Sequence, residues 1–350
     1  MRKKILWVST CPFVGGGEQF LVNTLLPLAD EFELMGLAAT DWLSHEMPDT
    51  RLFQHNGFWG RIREVNALIK EQKPDIVLLN GGSALYMAPF LPGKRVLIRH
   101  TTDEAVTAGP KRWLYRAVMG TVYKAATRVV HVSQYALTQQ RVATEKGIAI
   151  LNGVVPLPER SDFFIGGRPL RLLFCGRMER EKGVDVLVNA VQELSPREVE
   201  LHLVGSGSLL PYLKSLSLPN IHVHGFQEDV TPFYKQADVY VQLSSFENCP
   251  FSVIDAMSHC LPVIANPCGG LTEMVKPEVT GLYAKQEVAD VMGAIMEFVR
   301  VPQKVREMGI SGHVHCCVRY NQQDKIKAYR DLFKDLRCAG QKGESIKASV

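Results

Sequence analysis

The strongest constraint on the fold is an alternation of short apolar runs with helical segments. In the first half of the chain, apolar runs of strand length end in small or polar residues, as in KILWVST, DIVLLNGG, RVLIRH and RVVHVS. Continuous apolar strands that alternate with helices are typical of a parallel sheet covered on both faces. The sequence therefore predicts an α/β fold built on parallel sheets.

A Pro- and Gly-rich segment divides this alternation into two series. The stretch NGVVPLPERSDFFIGGRP holds three prolines and three glycines and has little periodicity, which predicts a linker at residues 154–169. A chain of 350 residues suits two domains. We expect doubly wound, Rossmann-like domains at residues 1–153 and 170–319, each with a ligand crevice where its strand order reverses. Helical spacing of apolar residues predicts a last helix at 320–337, before a polar tail at 338–350.

The overall charge does not predict nucleic-acid binding, but the charge is unevenly distributed along the chain. The apolar content of 46% and the charged content of 22% are those of a globular protein, and a net charge of +4 does not predict nucleic-acid binding. The segment from Lys94 to Arg128 contains eight basic residues and only two acidic ones, Asp103 and Glu104. This stretch is either a solvated helix face or a patch for anionic lipid headgroups or a phosphorylated substrate.

The ends of the chain and its cysteines predict a cytoplasmic protein. The start, MRKKILWVST, reaches a glycine run before any adequate signal-peptide core, and no run approaches the length of a transmembrane helix. The eight cysteines are scattered and form no C-x-x-C, so we expect free thiols. The adjacent cysteines of HVHCC (residues 313–317) are poorly placed to chelate one ion, so we expect no metal and no cofactor.

Two glycine turns and one pair of cations suggest phosphate binding in the second series. FCGRMEREKG places Arg177 and Lys182 after Gly176, where both cations can reach one diphosphate, although a solvated loop balanced by nearby glutamates fits equally well. VGSGSLL, with Gly205, is a weaker signal. In CGGLTEMV, Gly269 and Gly270 precede a helix start at Leu271 and Thr272, whose N–H groups would be free for phosphate unless the stretch is only a tight turn.

The segment FENCPFSVIDAM places two carboxylates in an otherwise apolar stretch. Glu247 follows the apolar run ADVYVQLSS on a loop, and Pro250 fits the first turn of the following helix. Asp255 would then lie about two turns along, where its carboxylate can accept from vicinal hydroxyls. The alternative is that Glu247 caps the helix and Asp255 pairs with a surface cation.

The order of these motifs resembles the retaining, nucleotide-sugar-dependent glycosyltransferases of family 4, which have the GT-B fold: two Rossmann-like domains facing each other across a cleft. The likeness runs from Ile5 to Phe333 and is most specific between Gly176 and Leu282. No single motif is specific, but the ordered set is.

The resemblance implies roles for particular residues of the second domain, which would bind the donor. Arg177 and Lys182 look like the pair that holds the donor diphosphate, and Glu247 resembles the first acid of the family's two-Glu motif. Asp255 takes the place of the second Glu, which binds the donor ribose, so this chain departs from the pattern there. Backbone contacts to the donor are implied for four further residues: Asn248, Pro250, Leu271 and Thr272.

In the first domain, which would bind the acceptor, the resemblance covers the glycine loop PFVGGGEQF. Gly15, Gly16 and Gly17 would let the backbone approach phosphate or the reacting sugar, and the loop has neither P-loop nor dinucleotide-binding spacing. His100, in RHTTDE, resembles the family's cleft histidine, although a lone histidine is more often structural. The last helix is expected to cross back onto this domain.

The implied activity is sugar transfer with retention, from a UDP- or GDP-sugar to a saccharide or lipid-linked saccharide in bacterial surface polysaccharide or lipopolysaccharide synthesis. Growing charge on the leaving diphosphate would be stabilised by Arg177 and Lys182, and no Asp-x-Asp sequence occurs. The basic stretch would allow peripheral contact with an anionic membrane. The alternatives are a sugar-nucleotide epimerase of the same architecture and a catalytically silent binding or assembly protein.

Overall fold

The computed structural model describes residues 2–101, 112–139, 145–216 and 218–336. Residues 102–111 of the basic stretch, which include Asp103, Glu104 and Lys111, lie outside these ranges. The last residue of the helix expected at 320–337 and the tail at 338–350 lie outside them as well.

Seven strands form a parallel sheet in the described part of the N-terminal half, in the order β3-β2-β1-β4-β5-β6-β7. They are β1 (Lys3–Ser9), β2 (Phe32–Ala38), β3 (Thr50–Leu52), β4 (Ile76–Asn80), β5 (Arg95–Arg99), β6 (Arg128–His131) and β7 (Gly147–Ala149). The strand order reverses between β1 and β4, which are neighbours in space but not in sequence. The crevice at this switch point therefore lies beyond the carboxyl ends of β1 and β4.

Helices cover both faces of this sheet. They are α1 (Gly16–Phe20), α2 (Trp42–Glu46), α3 (Phe58–Gln72), α4 (Arg112–Ala125) and α5 (Gln134–Thr138). A π turn (Leu21–Leu25) and a 3₁₀ turn (Leu26–Leu28) continue α1. Pro27 lies in the 3₁₀ turn, because proline cannot donate the hydrogen bond that a continuing α-helix requires. A longer 3₁₀ segment, Gly82–Phe90, follows β4.

Six strands form a second parallel sheet, in the order β10-β9-β8-β11-β12-β13 among the described residues. They are β8 (Leu170–Cys175), β9 (Val199–Val204), β10 (Ile221–Gly225), β11 (Val239–Gln242), β12 (Val263–Ala265) and β13 (Gly281–Tyr283). Here the order reverses between β8 and β11, so the loops that follow these two strands meet at the second crevice.

Among the described helices of the second half, the last three are the longest. They are α6 (Val184–Gln192), α7 (Leu210–Ser215), α8 (Thr231–Gln236), α9 (Phe251–Ser258), α10 (Leu271–Met274), α11 (Val288–Arg300), α12 (Gln303–Arg319) and α13 (Gln322–Asp335).

Helix α13 packs on the N-terminal domain, although it ends the C-terminal half. The ring of Tyr329 lies 5.2 Å from that of Phe20, and the ring of Phe333 lies 5.7 Å from that of Phe32. Lys3 Nζ donates to the carbonyl of Phe333 at 2.6 Å. These contacts bury Tyr329 and Phe333 completely and anchor the end of the described chain to the first sheet.

The chain passes between the domains twice, and the two crossings are bonded to each other. Val154 N donates to the carbonyl of Tyr320 at 2.9 Å, and Gln322 N donates to the carbonyl of Val154 at 2.9 Å. Val154 and Asn321 form an isolated parallel bridge.

Several cations of the stretch 94–128 serve the fold. Lys94 Nζ donates to the carbonyl of Leu336 at the end of α13, and Arg95 donates to the carbonyls of Ala88 and Leu91. Arg99 is 2% exposed and lies over the ring of Tyr123. These cations are therefore not available to a surface patch, which corrects the expectation for this part of the stretch.

Among the described helices, none is long and apolar enough to cross a bilayer.

Candidate active site

The loops after β8 and β11 bring the predicted lysine and glutamate together. Lys182 Nζ forms an ion pair with Glu247 Oε1, and their side chains are only 19% and 14% exposed. Ser244 Oγ donates to the same carboxylate oxygen at 3.0 Å, and Gln242 Nε2 donates to it at 3.2 Å. Glu247 therefore occupies a prepared polar pocket at the switch point and does not cap a helix.

A chain of buried side chains holds this pocket in place. Gln242 Nε2 donates to Ser244 Oγ at 2.6 Å, while Gln242 Oε1 accepts from the hydroxyl of Tyr240 at 3.0 Å. Tyr240, Gln242 and Ser244 are all buried. None of these three residues was predicted from the sequence. The polar Gln in the apolar run VYVQL was a signal, because a buried amide needs hydrogen-bond partners.

Arg177 lies at the other end of the same loop and faces the opposite domain. It pairs with Glu181, four residues further along the chain, and its side chain is 46% exposed. Its guanidinium carbon lies 5.9 Å from the centre of the Phe13 ring, which belongs to the N-terminal glycine loop. Arg177 is therefore at the cleft, where a ligand would compete with the exposed Glu181 carboxylate for it.

The Gly269–Gly270 turn packs against protein backbone. A Cβ on Gly270 would lie 1.7 Å from the carbonyl oxygen of Asn248, and one on Gly269 would lie 2.1 Å from that of Glu247. Gly270 N donates to the Glu247 carbonyl at 2.8 Å. The absence of side chains here thus positions the loop of Glu247, which agrees with the tight turn that was one of the two interpretations of CGGLTEMV.

The expectation of free N–H groups at Leu271 and Thr272 is wrong. Leu271 N donates to the carbonyl of Cys268 at 3.1 Å, and Thr272 N donates to that of Gly269 at 3.4 Å. The helix that they begin, α10, has only four residues. Both N–H groups are used to close the turn before the helix starts.

The G-x-G turn after β9 supports the loop that carries Arg177. A Cβ on Gly205 would lie 1.9 Å from the carbonyl oxygen of Gly176, and Gly205 has a positive φ of 134°. Met178 N donates to the carbonyl of Ser206 at 2.7 Å. Glycine is required at position 205 because the two turns are stacked backbone on backbone.

Asp255 lies in α9, and Pro250 precedes the first residue of that helix as its N-cap. The residue is half-buried, and burial raises the pKa of its carboxyl group to about 7. Burial raises the pKa values of Cys175 and Tyr234, and the nearby charge of Asp255 raises them further. No donor among the described residues hydrogen-bonds to the Asp255 carboxylate. Pairing with a surface cation, the alternative that the sequence left open, therefore does not occur among these residues. The carboxylate oxygens are available to a ligand.

The N-terminal glycine loop and His100 meet across the first switch point. Gly15 is the N-cap of α1, and Gly16 and Gly17 form its first turn. Asn80 Nδ2 donates to the carbonyl of Gly17 at 2.9 Å, which directs Asn80 Oδ1 towards His100 Nε2 at 2.8 Å.

This arrangement fixes the state of the imidazole. A carbonyl oxygen can only accept, so His100 Nε2 carries the proton and Nδ1 keeps its lone pair. Burial lowers the pKa of His100 to about 4. The imidazole is therefore neutral at pH 7 and cannot contribute a charge to the cleft.

Asn248 joins the two domains at the cleft. Its Nδ2 donates to the carbonyl of His100 at 2.8 Å, and its Oδ1 lies 3.5 Å from Ser133 Oγ. Asn152 Nδ2 also crosses, donating to the carbonyl of Cys249 at 2.7 Å. Asn248 was expected to contact the donor, whereas its partner Ser133 was not predicted, because pairing between distant loops leaves no local signal in the sequence.

The HVHCC stretch is part of α12. His313 Nδ1 lies 3.1 Å from the carbonyl of Ser258, and His313 Nε2 lies 3.4 Å from Cys317 Sγ. Cys316 is buried and its thiol faces the carbonyl of Ile254 at 3.6 Å. The adjacent cysteines therefore have different surroundings.

Comparison with protein families gives a match in the C-terminal half of the chain. Residues 169–300 match the family described as glycosyl transferases group 1. The match covers Arg177, Lys182 and Glu247 on their loops and Asp255 in α9.

Individual relatives are distant. An uncharacterized glycosyltransferase of Methanocaldococcus jannaschii is 25% identical over 78% of this chain and 72% of its own length. The lipopolysaccharide 1,6-galactosyltransferase of Salmonella typhimurium is 27% identical over 48% of each chain.

Solved structures of similar fold cover almost the whole chain. HepE of Anabaena, solved in complex with UDP and glucose, has a TM-score of 0.82 at 19% identity, over 95% of this chain and 100% of that one. At this identity the likeness establishes the fold. The expected architecture is confirmed as GT-B.

Proposed function

We propose that this chain, a GT-B protein whose residues 169–300 belong to the group 1 glycosyl transferases, moves a sugar from a UDP- or GDP-sugar to a saccharide or lipid-linked saccharide. The observation that carries the proposal is the Lys182–Glu247 pair, held by Ser244 and Gln242 at the switch point of the second sheet. Nucleotides bind at this position in open α/β sheets.

In this mechanism, Lys182 exchanges its carboxylate partner for the donor diphosphate. The bond from the anomeric carbon to the diphosphate breaks, its electrons pass to the phosphate oxygen, and the acceptor hydroxyl attacks and releases its proton. Arg177, 46% exposed at the cleft, would stabilise the same growing charge together with Lys182. Glu247, released from Lys182, would accept hydrogen bonds from the donor sugar.

We infer retention at the anomeric carbon, with attack on the face that the diphosphate leaves and with phosphate oxygen taking the acceptor proton. His100 is neutral and offers Nδ1 as an acceptor, so it would orient a sugar hydroxyl. The hydrogen bonds of Asn248 to the opposite domain would help to exclude water, which otherwise hydrolyses the donor.

The acceptor would bind the N-terminal domain, in a pathway for bacterial surface polysaccharide or lipopolysaccharide. The name of the Salmonella relative supports this assignment. Peripheral contact with an anionic membrane is supported by α4, which exposes Trp113, Leu114 and Val118 on the same helix as Arg116 and Lys124. Exposed aromatic and aliphatic residues next to cations are typical of helices that lie in a bilayer surface.

Donor screening tests this function. The purified chain is incubated with UDP- and GDP-sugars, with and without lipid-linked saccharide, and release of nucleoside diphosphate is measured. We expect release that depends on acceptor, and a product whose anomeric configuration by NMR matches that of the donor. Epimerised or free sugar without acceptor would indicate the epimerase, and donor binding without turnover would indicate the silent protein; either result contradicts the proposal.

Donor binding should depend on pH through Asp255. Its carboxylate accepts hydroxyl hydrogens best when ionised, so affinity for a nucleotide sugar should rise by up to about tenfold between pH 6 and pH 8, as expected for a pKa of about 7. The phosphates of a nucleotide sugar do not titrate in this range. Calorimetric titration of wild type and of Asp255→Asn measures the effect, and the variant should show a flat profile.

A stability measurement separates this role from a folding defect. The folded-state pKa of Asp255 is raised above its ordinary value of 3.8, so its contribution to stability is lost as pH rises towards 7. Asp255→Asn should therefore gain stability relative to wild type as pH rises from 5 to 8. An equally steep affinity profile in Asp255→Asn would contradict the assigned contact, and Asp255→Glu, the residue typical of the family, should retain donor binding.

A further inference from the structure

The edge of the C-terminal sheet carries a polar cluster that the proposed transfer does not use. Glu200 and His202 alternate with buried leucines along β9, and His222 and His224 occupy the neighbouring strand β10. Since β10 is the first strand in the order of this sheet, the cluster lies at a margin of the domain and is half-buried. Two carboxylate or imidazole residues at alternate positions on each of two adjacent strands share one face.

The distances within this cluster are short. His202 and His222 are direct partners in the parallel register, and their ring centres lie 4.9 Å apart. His202 Nε2 lies 3.7 Å from Glu200 Oε1, and His202 Nδ1 lies 3.0 Å from His224 Nε2. One ligand atom each from Glu200, His202 and His222 can be chosen so that all lie within 4.8 Å of one another.

The two ring nitrogens of His202 face different partners. When Nδ1 carries the proton and donates it to His224 Nε2, the lone pair of Nε2 remains on the side of Glu200. Metal-binding histidines commonly use their second nitrogen in this way, because the hydrogen bond fixes the ring and its tautomer.

We propose that Glu200, His202 and His222 bind one divalent transition-metal ion such as Zn²⁺, with water completing the coordination and His224 supporting His202. Two imidazoles and one carboxylate are ligands that suit Zn²⁺. Tetrahedral bonds of about 2.0–2.1 Å place ligand atoms about 3.4 Å apart, so the separation between His202 and Glu200 is already close to the requirement and His222 must rotate inwards.

The positive charge of Arg171 lies next to the proposed ion. Arg171 Nε donates to Glu200 Oε1 at 2.6 Å, so the ion would share this oxygen with the arginine or bind the other oxygen of the carboxylate. A carboxylate has enough lone pairs for both partners.

The ion would fasten the edge strand β10 to β9. Gly205, which follows β9 and supports the Gly176 turn, donates to the carbonyl of Gly225 at the end of β10 at 2.8 Å. The bound ion therefore stabilises the margin of the donor domain and takes no part in the transfer reaction. This inference does not depend on the proposed function.

Direct titration tests the site. Protein without an affinity tag is stripped with EDTA, dialysed and titrated with Zn²⁺, and thermal denaturation is followed with and without one equivalent. We expect one equivalent bound with micromolar affinity, a melting temperature several degrees higher, and visible Co²⁺ absorption typical of tetrahedral coordination. His222→Asn should weaken binding at least tenfold.

Two controls locate the ion. His45→Asn removes an exposed histidine outside the cluster and should bind Zn²⁺ as wild type does. Cys317→Ser removes the thiol next to His313 and should also leave the affinity unchanged. The proposal is overturned if wild type shows no saturable binding, if His202→Asn/His222→Asn keeps the wild-type affinity, or if Cys317→Ser abolishes binding.

Discussion

Lys182→Ala should lower kcat/KM for sugar transfer by about 30- to 1000-fold, which corresponds to about 2–4 kcal/mol of lost transition-state stabilisation. The ammonium group is the cation that Glu247 holds at the switch point, and its charge would balance the leaving diphosphate. The side chain is 19% exposed, so water cannot fully replace it. Steady-state kinetics with the best donor from the screen give the ratio.

The substitution also leaves Glu247 without its cation, so stability must be measured in parallel. Glu247 would keep its hydrogen bonds from Ser244 and Gln242, and Lys182→Ala/Glu247→Gln should recover stability without recovering activity. Lys304→Ala is the matched control, because Lys304 is 26% exposed, pairs with Glu278 and Glu297 at 2.9 Å each, and touches neither Lys182 nor Glu247. Wild-type kcat/KM in Lys182→Ala would eliminate the diphosphate site.

Gly270→Ala should destabilise the protein by about 3 kcal/mol and reduce turnover strongly. The new Cβ would lie 1.7 Å from the carbonyl oxygen and 2.6 Å from the carbonyl carbon of Asn248, so backbone must move. The displaced backbone belongs to the segment that carries Glu247 and the cross-domain hydrogen bonds of Asn248. Urea denaturation and donor turnover measure the two effects.

Gly293→Ala provides the comparison in the same domain. Gly293 lies inside α11, and a Cβ there meets no atom within 4 Å. Alanine has the higher helix propensity, so this variant should be stabilised by up to about 1 kcal/mol with unchanged turnover. If the two glycine variants behave alike, the packing of the Gly269–Gly270 turn against residues 247–248 does not matter for the site.

The sequence was sufficient to predict the architecture where strands are apolar and β-branched. Strands β1, β4, β5 and β6 coincide with predicted runs. Strand β2 was missed, since FELMGLA consists mainly of residues without strand preference. Its position is decided by tertiary packing: a Cβ on Gly36 would lie 1.9 Å from the Trp7 ring, so Gly36 leaves room for the tryptophan of the neighbouring strand.

The site was predictable where a residue acts at the end of a strand. Lys182 and Glu247 were expected at one crevice, and their loops meet there. The sequence did not indicate why glycine is required at positions 205 and 270, because Gly205 and Gly270 pack against backbone that is distant in sequence. The free N–H groups expected at Leu271 and Thr272 depended on the bounds of a helix, which a local pattern does not determine.

The bonded crossings at Val154 and Asn321 have a consequence for loading the donor. Two polypeptide connections that lie side by side permit rotation about one shared axis but resist sliding and twisting. Because α13 is fastened to the first sheet, it should travel with the N-terminal lobe, and bending should concentrate between Arg319 and Gln322. A Cβ on Gly153 would come within 3.0 Å of Gln322 Cα, so a larger residue at this position would hinder rotation between the two domains.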